Sequence, residues 1–277
     1  MLSALGVSTS GYYESIDREP SKQELRKESI KEKIDALYHE SEEIYGAPKI
    51  TKMLRADGEI ISERTVGKYM REMGIKAVHV KPYTVTTISK DFTNKLVNVL
   101  DRNFNPATPN AAWCTDITYI WTNKGFVYLS CVMDLFSRKI ISWELSNTLE
   151  TKYVVNAIEK AKRERKGVIP KIIHTDRGVQ YTSGQYREAT NGIELSYSAK
   201  GNPWDNACIE SFHALIKREW LNRFKIEDYN HAYSLIFSYI NAFYNTRRIH
   251  SHCNYMSPQQ YEDLFYSSTQ TEEKSAA

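Results

Sequence analysis

A chain of 277 residues, 41% hydrophobic and 12% aromatic, is long enough for a sizeable core and more than one domain, and its 19 Tyr argue against disorder. A net charge of only +3 excludes a globally basic nucleic-acid binder, so any contact with DNA or RNA must rest on local patches. Four cysteines without paired spacing (Cys114, Cys131, Cys208, Cys253) exclude a disulfide framework, and with no long apolar run or signal pattern the expectation is a soluble, cytoplasmic protein.

Residues 29–76 read as helices. Ile30, Ile34, Leu37 and Tyr38 form one stripe. Tyr45-Gly46-Ala47-Pro48 is a break, and Pro48 suits the first turn of a helix that ends near Gly58. Another helix is expected from Ser62 to Met73, stopped by Gly74. Its apolar side is Val66, Tyr69, Met70 and Met73, and its other side shows Arg64, Lys68 and Arg71. Two short helices, the second basic on its free face, suit a helix-turn-helix lying on DNA; composition alone fits a solvated surface equally well.

Residues 77–110 lack a period and read as a linker with one short helix near 91–100. Residues 111–145 read as three antiparallel strands, with Thr122-Asn123-Lys124-Gly125 as a hairpin turn. Asp116 in the first strand shares a face with Cys114, Thr118 and Ile120, and a carboxylate there needs a metal or a salt-bridge partner. The second strand, Phe126 to Asp134, is apolar on both faces and is read as central. Ile140 to Leu145 is the third strand, and 150–166 a helix ending in the basic run Lys160, Lys162, Arg163, Arg165 and Lys166, a pattern that is usually a solvated face.

Lys171 to Thr175 reads as a buried strand with Asp176 at its end, and Gly178 as the residue that frees φ for a tight turn. Thr182 with Gln185 matches a capping box that starts a helix. A strand from Ile193 to Tyr197 and a helix from Trp204 to Leu221 follow. That helix has an apolar stripe of Cys208, Phe212, Leu215 and Ile216, and opposite it Asn206, Glu210, His213 and Lys217. A carboxylate ending a strand and another displayed on a nearby helix could hold a divalent metal, though either alone is more often a cap or a solvated side chain. The order of strands and helices, mixed and with one crossover, suits a ribonuclease-H-like α/β core. Residues 226–262 open with a helix to about Asn245; His250, His252 and Cys253 lack a second ligand pair at zinc spacing; and the last residues, SSTQTEEKSAA, read as disordered.

Two long blocks, HTDRGVQYTS and GNPWDNACIESFHALIK, resemble the second and third acidic blocks of DDE transposases, most nearly the OrfB-type transposases of the "IS three" insertion-sequence family, whose core is similar to retroviral integrases. The segment WCTDITYIW matches the family's first acidic block, and VS-x-SGYY near the start, YGAPKI, RTVGKYMREMGIKA, YN-x-x-R-x-H and SP match further segments. The Asp176–Glu210 separation is two residues short of the family's usual spacing, with the shortfall around Ala189–Ile193.

The resemblance implies an integrase-type, ribonuclease-H-like mixed sheet flanked by helices, preceded by a small all-α, helix-turn-helix-like region. It divides the chain into a DNA-binding region (1–76), a linker (77–110), a catalytic core (111–222) and a C-terminal helical extension and tail (223–277). It implies catalytic and metal-binding roles for Asp116, Asp176 and Glu210, with two Mg²⁺ per site and Mn²⁺ as a substitute. Lys217, Arg64, Lys68 and Arg71 would contact DNA. The implied reaction is cleavage at an element's end and joining of the freed 3′-hydroxyl to target DNA, by a homo-oligomer with an OrfA partner or fusion. A nuclease that cuts without joining and a non-catalytic DNA-binding regulator are the alternatives.

Overall fold

The computed structural model describes residues 19–78, 96–200 and 202–276, which fall into two compact units, Met1–Val78 and His79–Ala277.

The first unit is three helices: α1 (Lys22–Glu40), α2 (Ala47–Ala56) and α3 (Glu63–Glu72). Ser21 and Glu24 close a reciprocal capping box at the start of α1, which satisfies two otherwise orphaned donors. Ile30, Ile34 and Tyr38 from α1, Ile50 and Leu54 from α2, and Val66 and Met70 from α3 are buried and make the core. Gly58 and Gly74 follow α2 and α3 at φ +85° and +73°, the left-handed conformation that lets the next N–H turn back onto the helix: Glu59 to the Leu54 carbonyl, Ile75 to that of Met70. Arg64, Lys68 and Arg71 are exposed, as the sequence predicts. Tyr69 and Met73, read as core, are only half-buried.

The second unit is built on one five-stranded sheet of β1 (Ala112–Thr122), β2 (Gly125–Asp134), β3 (Ile140–Ser146), β4 (Ile172–Thr175) and β5 (Glu194–Tyr197), in the spatial order β3-β2-β1-β4-β5. β1 pairs antiparallel with β2 and parallel with β4; β4 and β5 are also parallel. The centre is therefore β1, not the second strand, and there are two parallel crossovers rather than one. The first is α4 (Thr151–Glu164); the second is the short pair α5 (Val179–Thr182) and α6 (Gly184–Ala189). Ser183, not Thr182, caps the latter, accepting from the Tyr186 N–H, because α5 interposes one more turn before the cap.

α4 covers one sheet face, where Trp113, Val132, Ile141, Val154, Ala157, Ile158 and Ile173 pack together. The other face is covered by α7 (Ala207–Glu219), which a 3₁₀ turn, Pro203–Asn206, precedes. The basic run at the end of α4 is largely spent on structure. Arg165 is buried against Asp134 and Glu262; Lys160 pairs with Glu144; Lys162 pairs with Glu159 at 2.9 Å and reaches the Ala189 carbonyl.

The chain then runs through α8 (Tyr229–Phe237) into a π-helical segment, Ser238–Tyr244, and ends in α9 (Pro258–Ala276). The expected helix to Asn245 is thus α-helical for only its first part. The tail read as disordered carries helix to Ala276, because nothing after Pro258 is Gly or Pro and its Gln, Glu, Lys and Ala suit a helix. Most of the linker's expected short helix, 91–95, lies outside the described residues, and 96–100 is not helical. That stretch instead follows β5, with the Tyr197 N–H on the Val97 carbonyl and the Leu100 N–H on Ser196 Oγ.

Candidate active site

The site grows from the junction of β1 and β4. Cys114 pairs with His174, and Asp116 and Asp176 lie two residues further along their parallel strands, on the same face. Asp116 faces Cys131 across the antiparallel ladder. Asp176 lies just past β4, where its Oδ1 accepts the Gly178 N–H at 2.9 Å. Gly178 has φ −56°, open to any residue, so backbone freedom, expected from the sequence, is not why a glycine stands here. Space requires it: a Cβ here would meet Asp176 Oδ1 at 3.0 Å and Gln180 Oε1 at 3.2 Å.

β4 is held from behind by His174, fully buried between Ser196 Oγ (2.8 Å) and Ser198 Oγ (3.1 Å). Burial pushes this imidazole down to about 4, so it stays neutral at physiological pH. Arg177 ties the loop after Asp176 to the Ser198 and Leu96 carbonyls.

α7 brings Glu210 to the same place. Burial of its surroundings, then the negative charges of Asp116 and Asp176, push its carboxyl up to about 7, although the side chain is exposed. Burial and then Asp116 push Asp176 up to about 6. Lys217 is half-buried; burial lowers its pKa and the nearby Asp116 opposes that shift. Asp116, Asp176, Glu210 and Lys217 are thus brought together, while Arg64, Lys68 and Arg71 belong to the other unit.

Three carboxylates that destabilise one another's charge are the hard oxygen donors a small dication takes. The donor set fits Mg²⁺ or Mn²⁺; its present spacing is open, and among the described residues no three His, Cys, Asp or Glu side chains are grouped to hold a metal.

Sequence periodicity missed two features of α7. Ile209, not half-buried Cys208 and Leu215, completes its packed side with Phe212 and Ile216. His213, read as part of the free polar face, is 5% exposed, with Nδ1 3.3 Å from Asp116 Oδ2. A helix sandwiched between a sheet and the C-terminal helices has no free polar face, which a two-sided wheel cannot show.

The YN-x-x-R block has a structural role. Asn245 holds Ile140 through both amide atoms (3.0 and 2.9 Å), the Tyr244 hydroxyl donates to the Arg138 carbonyl at 3.1 Å, and Arg248 grips Glu219 with two bonds of 2.7 and 2.6 Å. His252 Nε2 lies 2.8 Å from the Phe136 carbonyl, and Cys253 donates its thiol to the Ser137 carbonyl.

Residues 106–203 and 191–258 match family models described as "Integrase core domain", and residues 24–83 match one described as "HTH-like domain". The chain is 38% identical over 247 residues to a transposase for insertion sequence element IS904 of Lactococcus lactis, covering 88% of this chain and 98% of that one. It is 34% identical over 275 residues to a putative transposase for IS986/IS6110 of Mycobacterium tuberculosis (95% and 98% covered), and 33% identical over 270 residues to transposase InsF for IS3A of Escherichia coli (95% and 93%). Similar solved structures include the HTLV-2 integrase catalytic core domain in complex with magnesium, with a TM-score of 0.44 and 19% identity over 56% of this chain and 98% of that one.

Proposed function

The chain belongs to the insertion-sequence transposase family, with its integrase-type core, and from that membership we propose that Asp116, Asp176 and Glu210 are the carboxylates with which it cleaves an element's end and transfers the freed strand into target DNA. The observation that supports this reading is the placement of Asp116 and Asp176 side by side at the β1–β4 junction, with Glu210 in electrostatic reach.

Asp116 would be shared between two divalent cations, with Asp176 holding one and Glu210 the other. When bound, two Mg²⁺ or Mn²⁺ activate the attacking oxygen and stabilise the leaving oxygen of an in-line displacement at phosphorus. The protein's part is to hold three carboxylates against their mutual repulsion. β1 does so by being paired on both sides, the Gly178 N–H by fixing Asp176, and α7 by fixing Glu210. Lys217, two turns after Glu210, would meet a phosphate of the bound strand.

In the same reading, residues 1–76 bind the element's ends, with Arg64, Lys68 and Arg71 on phosphates. Residues 77–110 connect them to the core at 111–222, and 223–277 form a C-terminal extension. The active species is a homo-oligomer on DNA, supplied with an OrfA partner. No described helix is long and apolar enough to cross a membrane.

The test is cleavage and joining of labelled cognate ends, with OrfA supplied and Mg²⁺ present or withheld. Asp176→Asn should bind the ends as the wild type does, yet cut and join several orders of magnitude more slowly. Equal cutting by Asp176→Asn overturns the assignment; a wild type with no metal-dependent cutting leaves a DNA-binding regulator as the better account.

A further inference from the structure

His213 lies on α7 three residues after Glu210, turned under the helix against β1. Its Nδ1 is 3.3 Å from Asp116 Oδ2, the ion-pair contact this carboxylate makes among the described residues. The other neighbours of Asp116 on its face cannot do the same work. Cys114 and Cys131 are buried thiols whose pKa values burial pushes well up, so they remain neutral and are weak donors. Nε2 of His213 is buried with no hydrogen-bond partner, so the ring is not held in place from its far side. A buried imidazole oriented by one carboxylate only, on the helix that also carries Glu210, calls for a reason beyond packing.

We propose that His213 is a positioning residue for Asp116: its Nδ1–H engages Oδ2 and fixes the plane of the carboxylate, leaving Oδ1 as the oxygen offered to a divalent cation. Nδ1 carries the hydrogen because an ionised carboxylate can only accept. The inference rests on the reading of Asp116 as a metal ligand. A partner that orients a ligating carboxylate typically contributes 10- to 100-fold in metal affinity. Its loss would therefore be felt in binding before any chemistry occurs.

The probe is Mn²⁺ alone, titrated into the full chain at constant pH and followed by electron paramagnetic resonance of the free ion. Three variants separate orientation from packing. His213→Phe keeps a buried ring without a donor and should raise the Mn²⁺ Kd by about tenfold or more. His213→Ala should do the same. His213→Asn places an amide N–H at about the distance from Cβ at which imidazole carries Nδ1, and should return the Kd to within about threefold of wild type. Thermal unfolding identifies the folded variants. Wild-type affinity in folded His213→Phe overturns the inference, as does equal weakening in His213→Asn and His213→Phe, which would mark the site as sensitive to shape alone. Asp116→Asn is the control. If it binds Mn²⁺ as the wild type does, the metal reading of Asp116 fails and carries this inference with it. If it binds weakly while His213→Phe does not, only this inference fails.

Discussion

Asp116 and Asp176 stand side by side, each two residues past Cys114 and His174, a pair in register between the parallel strands β1 and β4. Only parallel strands bring two carboxylates from distant parts of a chain to the same end of a sheet in the same direction. The helical crossover α4 makes that direction possible. Strand pairing thus creates the repulsion between them, and the fold tolerates it because the sheet is paired on both sides of β1.

The contact between Gly178 and Asp176 gives a sharp test of that placement. Gly178→Ala is open to the backbone at φ −56°, so the unfolding midpoint should barely move. Its Cβ would stand 3.0 Å from Asp176 Oδ1 and displace the carboxylate. Strand cleavage should fall by about 10- to 100-fold, the usual effect of an ångström-scale misplacement. Wild-type cleavage rates in this variant would show that the Asp176 rotamer is immaterial.

The raised carboxyls predict a particular dependence of stability on pH. Asp176, at about 6, and Glu210, at about 7, bind protons more tightly in the folded chain than at their ordinary 3.8 and 4.5. Their contribution to stability is fully present below the ordinary values and is lost as pH rises from about 4 to about 7. In EDTA, an Asp176→Asn, Glu210→Gln double variant should therefore melt progressively higher than wild type as pH increases through that window. Added Mg²⁺ should raise the wild-type midpoint at pH 7.5 and leave the variant's unchanged. A melting difference that is flat with pH would mean the two carboxyls do not feel each other.

His174 predicts the opposite slope. Its pKa is depressed to about 4 from 6.5 by burial, so its neutral form contributes stability above 6.5 that is lost as pH falls toward 4. His174→Asn should be less stable than wild type at pH 7.5, with the deficit shrinking as the solution is acidified. Chemical unfolding at several pH values reads the difference directly.

For Arg64, Lys68 and Arg71, the measurement is salt dependence. Removing one cation from a phosphate should reduce the slope of log K against log salt by about 0.9, so the triple Ala variant should lose about 2–3 units of slope as well as affinity. Lys68 is also 3.9 Å from Glu72, an exposed pair weak enough to be exchanged for a phosphate. An unchanged slope would leave these three as solvated surface.

Glu262 joins α9 to the catalytic unit: it is 1% exposed and receives Arg165 at 2.6 and 2.8 Å, Ser137 at 2.6 Å and Lys139 at 3.4 Å. Glu262→Ala leaves Arg165 buried beside Asp134 alone and should cost about 3–5 kcal/mol in urea unfolding. A loss under about 1 kcal/mol would mean that water already reaches this cluster.

Much of the fold was legible in the sequence where a local rule decides. Ser62 and Gly74 delimit α3, the hairpin turn before Gly125 is plain, and the strand before Asp176 is a short apolar run between breaks. The acidic residues were legible as ends of elements, and their juxtaposition came from long motif blocks, not from periodicity. What escaped depends on contacts distant in the chain. β1 is central because β4 returns to its far edge, and His213 is buried because α7 has neighbours on several sides. Gly178 is a glycine because a side chain two residues back approaches it. A one-residue error at the cap of α6 followed from α5, too short to leave a periodic trace.

The π-helical turn at Ser238–Tyr244 makes the length of one helix part of the protein's specification. Asn245 and Arg248 lie just beyond it, and each meets a partner far back in the chain, Ile140 and Glu219. Deleting any one residue from this turn would restore ordinary α-helical winding and rotate everything that follows by about 100°. Asn245 would leave the edge of β3, and Arg248 would leave Glu219 charged and alone in the interior. A loop absorbs a lost codon by shortening; this turn cannot, so among the described segments it is where a single in-frame deletion would be least tolerated.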